Sequence, residues 1–166
     1  MIIFVKQIIQ AMEHLTKLHE ELLTISEDKT EAIKVSDNES LVKWLTKERQ
    51  VMQKIEEYEA VREQLVNHFF EEKGINSDEK TITELLSVLN DEGDKTKLEG
   101  MVARLLELIV SIQESEQLNS QLLQQSMQFV QLSLEMIQPQ AQNISYGEQA
   151  ERKAAGQKRS VFDSKV

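Results

Sequence analysis

The sequence predicts an all-α fold: an elongated antiparallel helical bundle of three long helices plus one short helix, with a flexible C-terminal tail. Three observations carry this expectation. The 166 residues include a single Pro, five Gly and few aromatics, and Leu, Glu, Gln and Lys are abundant. Apolar residues recur at alternating spacings of three and four along most of the chain, the signature of a coiled-coil seam. Helix-ending chemistry is confined to a few places, chiefly Ser36-Asp37-Asn38, Gly74 and Pro139. The bundle domain is expected over residues 1–138 and a disordered tail over 139–166, which is rich in Gln, Ala, Gly and Lys without periodicity.

The first helix is expected over about 3–34, with a seam of Ile8, Ala11, Leu15, Leu18, Leu22, Ile25 and Ala32 interrupted by Lys29. Ser36 or Asp37 then caps the second helix, about 39–73. The seam assigned to that helix is Leu41, Leu45, Met52, Ile55, Tyr58, Leu65 and Phe69, with Glu48 and Arg62 at positions where apolar residues are expected. Gly74 stops it in a left-handed conformation. So short a loop requires an antiparallel hairpin, roughly 50 Å long from the rise per residue. Reflection about the turn sets Lys29 near Glu48 and Arg62 near Glu13, and these two pairs are expected to fix the register.

Thr81-Ile82-Thr83-Glu84 reads as a capping box. The helix it opens, about 82–89, is expected to pack across the open end of the hairpin with Ile82, Leu85, Leu86 and Leu89. The last long helix is expected over about 95–138, where Pro139 stops it. Its first half carries a seam of Leu98, Val102, Leu105, Ile109 and Ile112.

The second half of this helix is unlike the rest. From Gln117 through Leu134 no side chain is charged. At about 100° per residue, Leu118, Leu122, Phe129, Leu132 and Met136 cluster on one face, and Leu123, Met127, Val130, Leu134 and Ile137 on another roughly 140° away. Continuing the seam by heptads leads into the Leu123 face, so the Leu118 face is the spare one. A guest helix docking there would use Leu118, Leu122, Phe129, Leu132 and Met136 as anchors. Leu134 and Ile137 join the site if the helix end overhangs the hairpin. The short helix at 82–89 or a second copy of the chain, forming a homo-oligomer, are the alternative covers. A structural coiled-coil interaction module of a larger assembly is the competing function.

Composition excludes other classes. The net charge is −10, which opposes nucleic-acid binding. It divides unevenly, with −12 on residues 1–139 and +2 on the tail. There is no Cys, which suits a reducing cytoplasm. No apolar run is long enough for membrane insertion. His14 and His19 are five apart and point to different sides of a helix. Aligning Gly93 with the obligatory glycine of a calcium loop puts Val88 where the first carboxylate belongs. No phosphate loop, nucleophile elbow or converging carboxylates occur. The chain is expected not to be an enzyme and to need no cofactor or metal.

The strings Leu15-Thr16-Lys17-Leu18-His19-Glu20-Glu21-Leu22-Leu23 and Leu45-Thr46-Lys47-Glu48-Arg49-Gln50, on two long helices, resemble flagellar export chaperones of the FlgN type, especially those of Bacillus-like bacteria. So do the segment Asn119 to Ile137 followed by Pro139, and the terminal Phe162-Asp163-Ser164-Lys165. The resemblance implies a cytoplasmic chaperone of type III protein export. Such a chaperone binds the C-terminal helical ends of hook–filament junction proteins and prevents their premature assembly. It delivers them to the flagellar export apparatus, including the membrane export gate. The resemblance also implies substrate contact in the C-terminal helical part. Val161 and Phe162 in the tail are a further expected docking element for the export machinery.

Overall fold

A computed structural model describes the backbone of residues 2–144 and the side chains of residues 3–138. The all-α expectation is borne out. Four helices form in order, α1 (Ile2–Lys34), α2 (Asn38–Lys73), α3 (Ile82–Val88) and α4 (Glu92–Ile144), and among the described residues there is no strand. The chain divides into two compact units, Met1–Leu122 and Leu123–Val166. The first holds α1, α2, α3 and the beginning of α4; the second holds the remainder of α4.

Local chemistry sets the helix ends. The turn after α1 uses both candidate residues: Ser36 takes the left-handed backbone (φ 56°), and Asp37 caps α2 by accepting a hydrogen bond from the Ser40 amide at 3.1 Å. That cap and the Ser40 hydroxyl, 2.7 Å away, hold the Asp37 carboxyl below its ordinary pKa. Gly74, at φ 67°, ends α2 with its amide donating to Glu71 O. Thr81 caps α3 by accepting from the Glu84 amide at 3.2 Å. The capping box is only half closed, because the Thr81 amide donates to Glu79 O instead of to the Glu84 carboxylate. α4 starts earlier than the sequence suggests: Asp91 Oδ1 accepts from the Asp94 amide at 3.0 Å, and Glu92 and Asp94 sit at the positive end of the helix.

The other end of α4 needs a correction, since the helix does not stop at Gln138 but continues through Pro139 to Ile144. Proline's fixed φ is compatible with helix, and its cost is one lost hydrogen bond and crowding of the preceding turn. A helix already this long absorbs that cost.

Within the first unit the helices run up, down and up. α1 and α2 are antiparallel, with Phe4 beside His68 (ring centroids 6.1 Å) and His14 stacked on Tyr58 (4.8 Å). α4 runs parallel to α1, since Glu13 pairs with Lys97 (3.2 Å) and Glu20 with Arg104 (3.6 Å). The main core gathers Ile8, Met12 and Leu15 of α1, Val66, Phe69 and Phe70 of α2, Leu85 of α3 and Leu98 of α4. α3 therefore covers the open end of the hairpin as expected, with Leu85 fully buried. A smaller cluster of Leu18, Ile25 and Val51 continues along the hairpin.

Two seam assignments change. Leu45 and Met52 are exposed, and the inward positions early in α2 are Trp44, Glu48 and Val51. Both sets have coiled-coil spacing, and burying Val51 with half of Trp44 rotates the helix onto the second. The Glu13–Arg62 pair does not form either. Arg62 pairs with Glu59 one turn away on its own helix (2.8 Å), while α4 supplies Lys97 to Glu13.

Candidate partner-binding surface

The first unit ends in a polar layer. Lys29, nearly buried, places its Nζ 2.7 Å from Glu48 Oε1 and 2.8 Å from Glu116 Oε1. Burial opposes its charge, but the hydrogen bonds and charges of Glu116 and Glu48 outweigh that and hold its pKa above the ordinary lysine value. Glu116 moves the opposite way. Burial raises its pKa, yet the hydrogen bonds from Lys29 and Ser26 and the Lys29 charge leave it below the usual carboxylate range. Beside this triad, Asn119 is buried. Its Oδ1 accepts from Thr30 Oγ1, and its Nδ2 donates to Ser26 O at 3.0 Å. Ser26 and Ser115 hydroxyls meet at 2.7 Å. Each helix of the hairpin thus contributes to a layer that fixes α4 in register.

Asn119 is the last buried residue of α4 among those described, and from Gln121 to Gln138 every residue but Leu122 and Ser133 is exposed. Within the first unit, Thr30 meets Asn119 four residues before α1 ends at Lys34.

The predicted anchors therefore have different settings. Leu118 (43% exposed) and Leu122 (half-buried) belong to the first unit. Phe129 (72%), Leu132 (60%), Met136 (75%), Leu134 (56%) and Ile137 (59%) belong to the second and are exposed. The expectation that the Leu123 face serves the protein's own core is wrong, because Leu123, Met127 and Val130 are exposed as well. A shallow, almost wholly apolar depression lies on that face, lined by Leu123, Ser126, Met127, Val130, Gln131 and Leu134. Apart from Leu134, sequence reasoning leaves these residues out of the site. The signal for Leu123, Met127 and Val130 is the helical wheel itself, which already sets them on a second apolar face. Ser133, between the two faces, donates to Phe129 O at 2.9 Å and so satisfies its hydroxyl within the helix.

Among the described residues no group of three or more His, Asp or Glu could hold a metal ion, and no helix is long and apolar enough to cross a membrane. Val161 and Phe162 lie outside the described residues.

Comparison with known proteins agrees with the helical pattern. Residues 1–154 match the family described as FlgN protein. The chain is 30% identical over 162 residues to the protein YvyG of Bacillus subtilis (strain 168), covering 97% of this chain and 98% of that one. Comparison with solved structures gave no significant match. A family match over nearly the whole length of an all-helical chain places it plainly: the protein belongs to the FlgN family, whose general role is that of flagellar export chaperones.

Proposed function

We propose that the protein is a cytoplasmic chaperone for the flagellar hook–filament junction proteins, and that it captures their C-terminal helical ends on the exposed part of α4. The observation that carries this reading is the exposure of Phe129, Leu132 and Met136, with Leu134 and Ile137, on a helix with no charged side chain between Gln117 and Leu134. Leu118 and Leu122, within the first unit, share the helical-wheel face of Phe129.

Apolar residues at successive helical turns are what helix-in-groove recognition needs, and covering each large side chain is worth roughly 1.5–3 kcal/mol before ordering costs. The lack of charge means that a guest helix strands no ion when it docks. Met127 and Met136 let the surface adapt to more than one guest. A capped junction protein has its own assembly helix occupied, which would prevent premature polymerisation until handover to the export apparatus and its membrane gate. Val161 and Phe162 are proposed as contacts for that machinery.

Co-purification with the junction proteins of the same bacterium tests the reading. The complex should be lost in the Phe129→Glu, Leu132→Glu double variant while helical circular dichroism is unchanged, because both side chains are exposed. Retention of the complex in that variant, or a constitutive oligomer by light scattering that binds no junction protein, would favour the structural coiled-coil module instead.

A further inference from the structure

The second unit does not carry one apolar stripe but two, one of them opening on Gln125. Leu123, Met127, Val130, Leu134 and Ile137 alternate spacings of four and three, and so do Gln125, Phe129, Leu132 and Met136. Each is a coiled-coil seam by itself. Their centres are roughly 140° apart, and the apolar arc they span covers about 220° of the helix, whereas one packed neighbour covers a stripe of about 100°. The strip between them is made of Ser126 and Ser133, side chains small enough to let two neighbours meet over it. Gln124, Gln128, Gln131 and Glu135 fill the opposite side.

Size leads to the same conclusion. Taking about 200 Å² for a fully exposed residue of this kind, the eight large apolar residues of the second unit expose on the order of 1,000 Å², against 300–600 Å² for the largest patch of an ordinary monomer and about 800 Å² per partner in a specific interface. A single guest helix would leave one seam bare.

We propose that the occupant is one partner chain that lays two helices side by side on α4, one on each seam, so that α4 becomes the third helix of a mixed bundle. This rests on the chaperone reading and adds to it: recognition requires a helical pair, not a lone C-terminal helix.

The test uses the full chain and, as probes, the purified full-length junction proteins of the same bacterium, with titration calorimetry and light scattering. Two variants each charge one seam: Phe129→Glu with Leu132→Glu, and Met127→Glu with Val130→Glu. Gln124→Glu on the polar side is the charge control, and circular dichroism verifies the helix in all three. The expected result is a one-to-one complex, weakened at least about 30-fold by either double variant and unchanged by the control. If only one seam matters, the occupant is a single helix and the proposal falls while the chaperone reading stands. If one double variant merely dissociates a self-dimer of this chain, a second copy is the cover and the proposal falls. If the unmodified protein binds none of the junction proteins, or both double variants bind normally, the chaperone surface itself is refuted.

Discussion

Reversing the charge of Lys29 should damage the fold more than reversing any other single charge, because this one ammonium holds two carboxylates from two other helices. Its side chain is 6% exposed, against 19% for Glu48 and 38% for Glu116. Lys29→Glu would put three carboxylates in one layer beside the buried Asn119. Breaking a buried pair costs about 3–5 kcal/mol. The lower end applies here, since water reaches Glu116 and screens part of the repulsion. A loss of about 3 kcal/mol corresponds to roughly 6–12 °C in melting temperature for a chain of this size. Thermal unfolding followed by circular dichroism would measure it.

Adding Glu48→Lys should restore at least half of the loss, because the new ammonium lies between the carboxylate introduced at position 29 and that of Glu116. Two results would refute the reasoning. An unchanged melting temperature in the single variant would mean that the layer is solvated and that register is set elsewhere. No recovery in the double variant would mean that the loss reflects packing of the Lys29 stem rather than its charge.

The same layer predicts how stability depends on pH. Glu116 has a depressed pKa in the folded protein, so its contribution is present above the unfolded value of 4.5 and is lost as pH falls through the folded value; Lys29 has a raised pKa, so its contribution is present below 10.5 and is lost as pH rises through the folded value. Chemical denaturation should therefore show a plateau between these limits, and Glu116→Gln should flatten the acid side; an unaltered acid limb would contradict the assignment. Gly100 lies within α4 with nothing within 4 Å of where a Cβ would be. Gly100→Ala should accordingly stabilise the protein by about 0.5–1 kcal/mol, and a lower melting temperature would show that the space is needed.

Much of the architecture is legible in the residues because it rests on local rules. Gly74 ends a helix through backbone geometry alone, so the sequence suffices to place it, and it narrows the cap of α2 to Ser36 or Asp37, of which the structure uses Asp37. The Lys29–Glu48 pair follows from reflecting a hairpin about a short turn, since the rise per residue converts sequence distance into position. The same reflection gives Glu13 the wrong partner, because Arg62 reaches Glu59 on its own helix and a third helix brings Lys97 closer. A hairpin of two helices taken alone lacks that competition. Leu45 and Val51 show the same limit: both fit a seam, and only the packing of Trp44 and α1 selects between them.

The sequence alone determined that α4 has two apolar faces and no charge to interrupt them, because side-chain identity and the period of the helix settle that without a neighbour. It could not decide which face is used by the protein itself. That depends on which side chains a neighbouring helix covers, as Thr30 and Ser26 of α1 cover Asn119. Only the tertiary structure shows that Met127 and Val130 are exposed as well as Phe129, Leu132 and Met136. The reason is that burial is a relation between elements, while periodicity belongs to one element.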